Sequence, residues 1–157
     1  MSASKPAGAA SPAKHPPNRV EVTWVGGERF DAGRPGGPKL RLDGDGTTGQ
    51  SPVDAVLSAL GACTSIDVVA ILAKRRTPVE RYSLEVSGER SEGTPRRIVA
   101  IDIAYHIDGA GIEREHAERA IELAIGKYCS VRDSLSKDIP VRWTLTLNGS
   151  TGQARTT

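Results

Sequence analysis

The segment from residue 51 to residue 76 constrains the fold more than any other part of the chain, because it predicts one long helix that is apolar on nearly every side. Within it, twelve residues without a charge separate Asp54 from Asp67. A helix over this range would extend roughly 39 Å, about the whole diameter of a compact domain of this size. A helix that is apolar all round must be buried all round, and one small subunit offers too little cover. We therefore expect a homo-oligomer that shares its core.

Both ends of this helix carry the expected signals. Ser51 is a good N-cap, Pro52 suits the first helical position, and Asp54 lies where a capping-box acid belongs. Basic residues at 74–76 suit the negative end of the helix dipole, and Pro78 follows the end of the helix. The apolar stretch is too short and too closely flanked by acidic residues for a membrane span, so we expect no membrane partner.

Strand patterns lie on both sides of this segment. Apolar and polar residues alternate over residues 19–25, 39–43, 81–89, 97–107 and 139–148, as in half-buried strands. The Gly-rich segment 26–37 predicts a long turn. An apolar stripe over residues 112–128 predicts a second helix, after which Ser130 and Asp133 are suited to cap a short helical turn. Strand pairs that alternate with helices indicate an α+β fold with mainly antiparallel sheets around the long helix.

The composition predicts one ordered domain between two loose ends. A chain of 157 residues is long enough for a single domain with a sizeable core. Residues 1–19 are rich in Ala, Pro and Ser and lack the apolar region of a signal peptide, which predicts a disordered tail and a cytoplasmic location. We predict a single domain over residues 20–148 and a flexible C-terminal tail over residues 149–157.

Several functional classes are disfavoured by the sequence. The net charge is only +2, and basic residues are mixed with acidic ones, so we expect no nucleic-acid partner. GDGTTG at residues 44–49 spells a dinucleotide fingerprint, but Pro52 would then fall inside the helix, so we interpret the segment as a flexible loop. A calcium loop would need glycine where Thr48 stands. The three histidines show no metal-ligand spacing: His15, His106 and His116.

The two cysteines are the remaining candidates for chemistry. Cys63 lies at the centre of the predicted buried helix, and Cys129 ends the apolar stripe of the second helix. A chain without an export signal favours reduced thiols over a structural disulfide. If both helices pack on one core, the two Cα atoms would come within disulfide reach, about 5–6 Å. The residue pattern leaves two alternatives open: a pair of inert core residues, or one redox centre.

Two segments then show a resemblance to a known family. GACTSIDVVAILAKRRTPVE and RAIELAIGKYCSVRDSL, with both cysteine motifs at the expected separation, resemble the OsmC/Ohr family of thiol peroxidases, and in particular its OsmC-like branch. The similarity runs from about residue 20 to residue 148. It implies an intertwined α+β homodimer in which two long central helices lie back to back, with active sites at the interface and with no metal or bound cofactor.

The resemblance also implies roles for individual residues. Cys63 would be the peroxidatic cysteine and Cys129 the resolving one. Family members reduce organic hydroperoxides, and some reduce hydrogen peroxide; several take electrons from dithiols such as lipoylated proteins. In the hydroperoxide-resistance branch, an acid anchors an arginine that stabilises the thiolate.

The residues that would tune the thiolate match that pattern less closely. Val53 occupies the position of the acid, whereas Asp54 matches the glutamate of the OsmC-like branch, so Asp54 either caps its helix or tunes the thiolate. Arg29 is the nearest candidate for the arginine, and Arg34 is the next.

The sequence therefore predicts a cytoplasmic, cysteine-based thiol peroxidase that reduces organic hydroperoxides in oxidative-stress defence. Cys63 would become a sulfenic acid, Cys129 would condense with it to a disulfide, and an external dithiol would reopen that bond. The alternative is a non-catalytic protein on the same fold that binds a lipophilic ligand or senses redox state.

Overall fold

The computed structural model describes residues 15–157. Most of the predicted disordered tail, residues 1–14, lies outside the described residues, and residues 15–19 are exposed and belong to no helix or strand. The chain divides into two compact units, one ending at Ser51 and one beginning at Pro52. This division falls inside the single domain predicted over residues 20–148, at the point where the first sheet has ended.

The first unit is a three-stranded antiparallel sheet in the order β1 (Glu21–Gly26), β2 (Arg29–Gly33) and β3 (Leu40–Asp43). The predicted long turn over residues 26–37 was wrong in part, because strand β2 occupies its centre. Gly26 and Gly27 have φ values of 108° and 58°, which glycine adopts without strain, and they close a tight turn between β1 and β2. Phe30 then pairs with Trp24 on one side and Leu42 on the other.

The second unit contains the long helix, a five-stranded sheet and the helices that connect two of its strands. Its elements are α1 (Pro52–Lys74), β4 (Arg81–Arg90), β5 (Ile98–Asp108), α2 (Arg114–Leu123), a π-helical turn (Ala124–Tyr128), α3 (Ser130–Ser134), β6 (Val141–Leu147), β7 (Ser150–Thr151) and β8 (Arg155–Thr156). The sheet order is β4-β5-β6-β7, and β8 also pairs with β6. The α+β class predicted from the sequence is confirmed.

Two features of this unit differ from the sequence-based expectation. Strand β6 pairs with β5 in parallel, because the α2 and α3 helices form the crossover between the two strands, while β4 and β5 pair antiparallel as expected. Residues 149–157, which we expected to be a flexible tail, contain strands β7 and β8, and both pair antiparallel with β6. This segment has no apolar alternation, and its strands are held by backbone hydrogen bonds to β6.

One face of α1 packs on the inner face of the sheet and on α2. The buried residues of this core come from α1, β5, α2 and β6 and include Leu60, Val68, Leu72, Ile101, Ile103, Tyr105, Ala120, Ile121, Val141, Trp143 and Leu145. The apolar residues predicted to face inward on β5 and β6 do so.

The remaining circumference of α1 is not covered by residues 15–157. Ile66 is 70% exposed, Val69 40% and Val56 38%, although all three are apolar. Within residues 15–157, α1 is the one helix long and apolar enough to cross a membrane by length and composition, a test that core helices of soluble proteins also pass. The helix expected to be buried all round is therefore buried on one side within a single chain.

Candidate active site

Helix α1 places Cys63 at the edge of the core. Gly61, two residues earlier, is buried against strand β4, where an added Cβ would lie 2.9 Å from Leu84 Cδ1 and 3.0 Å from Val86 Cγ2. The absence of a side chain at Gly61 lets the helix lie close to the strand. Cys63 is partly exposed and packs against the buried core. Its thiol is therefore reachable without being fully solvated.

Cys129 lies at the junction between the π-helical turn and α3. Its N–H donates to the Ala124 carbonyl at 2.9 Å, closing the wide turn, and its backbone is then extended, with φ −71° and ψ 102°. Its sulfur accepts a hydrogen bond from the Arg132 N–H at 3.3 Å. Cys129, rather than the predicted Ser130, is thus the N-cap of α3. The residue is only 3% exposed.

The fold brings the two cysteine side chains together as free thiols. Cys129 hydrogen-bonds to Cys63 through its side chain, and both residues are reduced. This contact brings together the two residues that one redox centre would need, and the roles of Cys63 and Cys129 in such a centre stay predictions. The pair is assembled from the middle of α1 and the start of α3, which lie 66 positions apart in the sequence, from 63 to 129.

The surroundings shift the pKa values of the two thiols in opposite directions. Burial raises the pKa of Cys63, but hydrogen bonds from the Val131 N–H, the Cys129 thiol and both the hydroxyl and N–H of Ser130 outweigh it, so the pKa is lowered overall. Burial raises the pKa of Cys129 to about 11, and the hydrogen bond to Cys63 adds to the increase. Cys63 is therefore the thiol that ionises first, and Cys129 is held protonated.

A buried polar chain lies beside the pair. The Tyr105 hydroxyl donates to Thr64 Oγ1 at 3.0 Å, and the Thr64 hydroxyl donates to the Gly61 carbonyl at 3.0 Å. Burial raises the pKa of Tyr105, and the neighbouring Cys129 contributes to the rise. Tyr105 also contacts Tyr82 and Trp143 edge to face, at ring-centroid distances of 6.4 and 6.5 Å. These contacts hold the Tyr105 ring in the core, a feature that the sequence did not indicate.

Asp54 lies in the first turn of α1 and is exposed. Cys63 lies nine positions further along the helix, a rise of about 14 Å. It lines a groove of about 470 Å³ with Leu57, Ser58 and other residues of α1 and β4, and Cys63 is not among the lining residues that the structure describes. This position fits a helix-capping acid; a role in tuning the thiolate stays a prediction.

The two candidate arginines belong to the first unit, whereas Cys63 belongs to the second. Arg29 begins strand β2, donates from Nε to the Gly26 carbonyl at 3.2 Å, and contributes to the lowered pKa of Asp43, after the larger hydrogen bonds from Thr48. The Arg34 carbonyl accepts a hydrogen bond from Lys39 Nζ at 3.1 Å. Their predicted role as thiolate-stabilising residues stays a prediction. The donors found around Cys63 are Cys129, Ser130 and Val131. The sequence had indicated Ser130 only as a helix cap and had given Val131 no role.

Across the part of the chain that the structure describes, no group of three or more His, Cys, Asp or Glu side chains is arranged to hold a metal ion. His116 contacts Arg75 at 2.5 Å and Glu113 at 3.4 Å, and His106 is exposed on β5. The glycine loop at 44–49 closes on Asp43, whose carboxylate accepts hydrogen bonds from the Thr48 N–H and hydroxyl at 2.9 and 2.7 Å.

Comparison with known proteins identifies the family. The family model described as OsmC-like protein matches residues 44–144. Protein YhfA of Escherichia coli K12 is 34% identical over 124 residues, which cover 78% of this chain and 92% of YhfA.

Solved structures share the fold. An OsmC-like protein from Mycoplasma pneumoniae superposes with a TM-score of 0.71 at 16% identity, covering 82% of this chain and 95% of the other. The organic hydroperoxide resistance protein OhrB of Bacillus subtilis superposes with a TM-score of 0.57 at 14% identity, covering 82% and 98%. The chain therefore belongs to the OsmC/Ohr family.

Proposed function

We propose that the protein is a cysteine-based thiol peroxidase that reduces organic hydroperoxides. The observation that carries the proposal is the contact between Cys63 and Cys129, in which hydrogen bonds lower the pKa of Cys63 while the pKa of Cys129 is raised. A peroxidase of this kind needs one thiolate that attacks the peroxide and a second thiol that gives its proton to the leaving alkoxide and then, as a thiolate, attacks the sulfenic acid. Membership of the OsmC/Ohr family supports the same assignment, since the fold relative from Bacillus subtilis is named for hydroperoxide resistance.

The reaction follows from the protonation states of the pair. The Cys63 thiolate attacks one oxygen of the hydroperoxide, the O–O bond breaks, and the departing alkoxide takes the proton of the neighbouring Cys129 thiol and leaves as an alcohol. Cys63 is now a sulfenic acid and Cys129 a thiolate. Attack of Cys129 on the Cys63 sulfur forms the disulfide and expels hydroxide, which is protonated to water. An external dithiol restores both thiols.

The preference for an organic substrate rests on the apolar surroundings of Cys63. Cys63 packs against the hydrophobic core together with other partly buried apolar residues, among them Ile71 and Leu84. An alkyl chain would remove such apolar surface from water, whereas hydrogen peroxide has no chain to do so. The protein should therefore reduce an alkyl hydroperoxide more efficiently than hydrogen peroxide, as the ratio of the two kcat/KM values will report.

The proposal includes a homodimer. Val22, Ala32 and Leu40 are paired across the first sheet, as are Trp24, Phe30 and Leu42, so six apolar side chains share one of its faces. Trp24 is 65% exposed and Val22 60% exposed. An isolated chain thus leaves both this face and the outer side of α1 in contact with water, which favours a second copy as their cover. A cytoplasmic location remains a prediction from the sequence.

Mass spectrometry after one equivalent of an alkyl hydroperoxide tests the function. We expect an intramolecular Cys63–Cys129 disulfide in the wild-type protein and steady peroxide consumption when a dithiol is supplied. Unmodified thiols after this treatment would favour the alternative, a protein that binds a lipophilic ligand without turnover. Disulfide formation without steady turnover would indicate a redox sensor.

Two serine variants separate the roles of the cysteines. Cys63→Ser should abolish peroxide consumption, because no thiolate remains to attack. Cys129→Ser should complete one turnover and then stop at a sulfenic or over-oxidised Cys63. Equal residual activity in both variants contradicts the assignment, and the free energy of unfolding of each variant serves as the control for misfolding.

A further inference from the structure

A small pocket lies beside Cys129, formed by the π-helical turn and α3. Its volume is about 170 Å³, and the residues that line it include Gly126, Lys127, Cys129, Arg132, Asp133 and Lys137. Cys63 is not among the described residues that line this pocket. The pocket thus approaches the cysteine pair from the Cys129 side.

The charged side chains of the pocket are mostly basic. Lys137 pairs with the single carboxylate, Asp133. The Arg132 guanidinium donates to the carbonyls of Ser136 and Ile139 at 3.1 and 3.0 Å, and these acceptors carry no charge. Lys127 Nζ lies 5.4 Å from the ring centroid of Tyr128 and is exposed. The pocket therefore carries an excess of positive charge from its side chains, which attracts anions.

We propose that this pocket admits the reductant, and that the reductant is a dithiol bearing a negative charge that attacks the disulfide at the Cys129 sulfur. The inference rests on the proposed function, because it assigns the partner of the same cysteine pair. It differs from that function in naming the entry side, the sulfur that is attacked and the charge of the reductant.

The dithiol would reduce the Cys63–Cys129 disulfide in two exchange steps. The first thiolate of the reductant bonds to the Cys129 sulfur, the Cys63–Cys129 bond breaks, and its electron pair leaves with Cys63 as a thiolate. The second thiol of the reductant then attacks the reductant's own sulfur in the mixed disulfide. Cys129 leaves and takes a proton, and the reductant departs as a cyclic disulfide, having supplied both electrons.

The properties of the two thiols support this direction. In thiol–disulfide exchange the sulfur with the lower pKa is the better leaving group. The Val131 and Ser130 donors that lower the pKa of Cys63 would stabilise it as it leaves. Cys129, whose pKa is raised by burial, leaves poorly, so a mixed disulfide on Cys129 should persist when a monothiol is used in place of a dithiol.

The test begins from protein oxidised with diamide, so that it does not depend on peroxide. The disulfide form is treated with 2-mercaptoethanesulfonate, 2-mercaptoethanol or cysteamine, which are anionic, neutral and cationic, and rates are compared at equal thiolate concentration. We expect the anionic thiol to react fastest, with about a threefold change in rate per unit of charge at low salt and little difference at high salt. The adduct should be found on Cys129. Equal rates at low salt, or an adduct on Cys63, would overturn the proposal.

Three variants test whether the thiols enter through this pocket. Lys127→Gln should reduce the preference for the anionic thiol, while Lys74→Gln, the same change at the end of α1, should leave it unaltered. Gly126→Leu should slow all three thiols, because Gly126 lines the pocket, an added Cβ there meets no atom within 4 Å, and a bulky side chain at this position would narrow the entry. Unchanged rates in both Lys127→Gln and Gly126→Leu would exclude the pocket. If alkyl hydroperoxide fails to oxidise Cys63 while diamide-treated protein keeps the charge preference, the peroxidase proposal fails and the pocket assignment stands.

Discussion

The pKa values of the two thiols are shifted in opposite directions because their neighbours differ. Cys63 receives hydrogen bonds from Val131 and Ser130 at the start of α3, and these lower its pKa against the opposing effect of burial. Cys129 donates to Cys63 and is itself almost fully buried, so its pKa is raised to about 11. The assignment of nucleophile and resolving thiol therefore rests on named donors as well as on family membership.

This asymmetry predicts a pH profile for the reactivity of Cys63. Because hydrogen bonds lower its pKa, the thiolate forms at lower pH than in an unperturbed cysteine, and the alkylation rate should rise with pH up to that pKa and then level off. Cys129→Ala removes one donor to the thiolate, so the midpoint should move to higher pH and the plateau should not change. Site-resolved iodoacetamide labelling across pH measures both.

Ser130→Ala provides the comparison for this profile. It removes the hydroxyl donor but keeps the backbone N–H donors of Ser130 and Val131, so its midpoint should move in the same direction as that of Cys129→Ala. A midpoint that moves to lower pH in either variant would show that these groups do not stabilise the thiolate.

Asp54→Asn tests whether the acid at the start of α1 has a structural or a chemical role. If Asp54 only stabilises the start of its helix, the variant should lose about 1 kcal/mol or less of unfolding free energy, because asparagine removes the negative charge that interacts favourably with the helix dipole, and the rate of peroxide attack should stay the same. Chemical denaturation and single-turnover kinetics measure the two effects separately. A collapse in rate at unchanged stability would place Asp54 in the active site.

The identities of the two cysteines could be predicted from the sequence, but their hydrogen bonds could not. The motifs around Cys63 and Cys129 carried the family resemblance, and the fold brings the two residues together. The donors depend on a π-helical turn that ends at Cys129 and turns the Ser130 and Val131 N–H groups toward Cys63. A π-helical turn of five residues is too short to show a periodicity of its own, so the apolar stripe over residues 112–128 predicted one continuous helix.

The approach of α1 to β4 depends on one glycine. Gly61→Ala should destabilise the protein, because the new Cβ would lie 2.9 Å from Leu84 Cδ1 and 3.0 Å from Val86 Cγ2, and Val86 has a stiff branched side chain. Overpacking costs about 1–3 kcal/mol, against a gain of about 1 kcal/mol for replacing a helical glycine. We expect a net loss in unfolding free energy, measured by chemical denaturation.

Gly126→Ala is the matched control for this change. An added Cβ at Gly126 meets no atom within 4 Å, and its backbone φ is not positive, so the variant should keep or slightly increase the unfolding free energy. If both variants behave alike, the close approach at Gly61 does not limit stability.

Periodic apolar residues predicted most of the helices and strands, and the exceptions have physical reasons. Strand β2 was missed because its flanking glycines indicate a turn, although its pairing with β1 and β3 determines its structure. Strands β7 and β8 have two residues each, which is too short for any alternation to be detected, and they form by pairing with β6. Tertiary pairing outweighs local composition in each of these segments.

Within residues 15–157, each of the two compact units has an exposed apolar surface. In the first unit the sheet face with Val22 and Trp24 is largely exposed, and in the second unit Ile66 and Val69 of α1 are exposed. The sequence predicted the exposed apolar surface of α1, because a helix that is apolar on all sides cannot be buried by one small subunit. The sequence did not indicate which side of α1 its own chain would cover, since that depends on the packing of Leu60, Val68 and Leu72 against the sheet and α2.

Ile66→Glu should therefore separate the proposed dimer. Ile66 is 70% exposed in the single chain, so a charge there costs little in a monomer, but burying an unpaired carboxylate between two copies costs several kcal/mol. Light scattering at micromolar concentration should give the dimer mass for the wild type and a monomer mass for Ile66→Glu. Ser83→Glu, which adds the same charge at an exposed position of β4, should remain dimeric. A monomeric wild type, or an Ile66→Glu variant that stays dimeric, would contradict a shared core built on this face of α1.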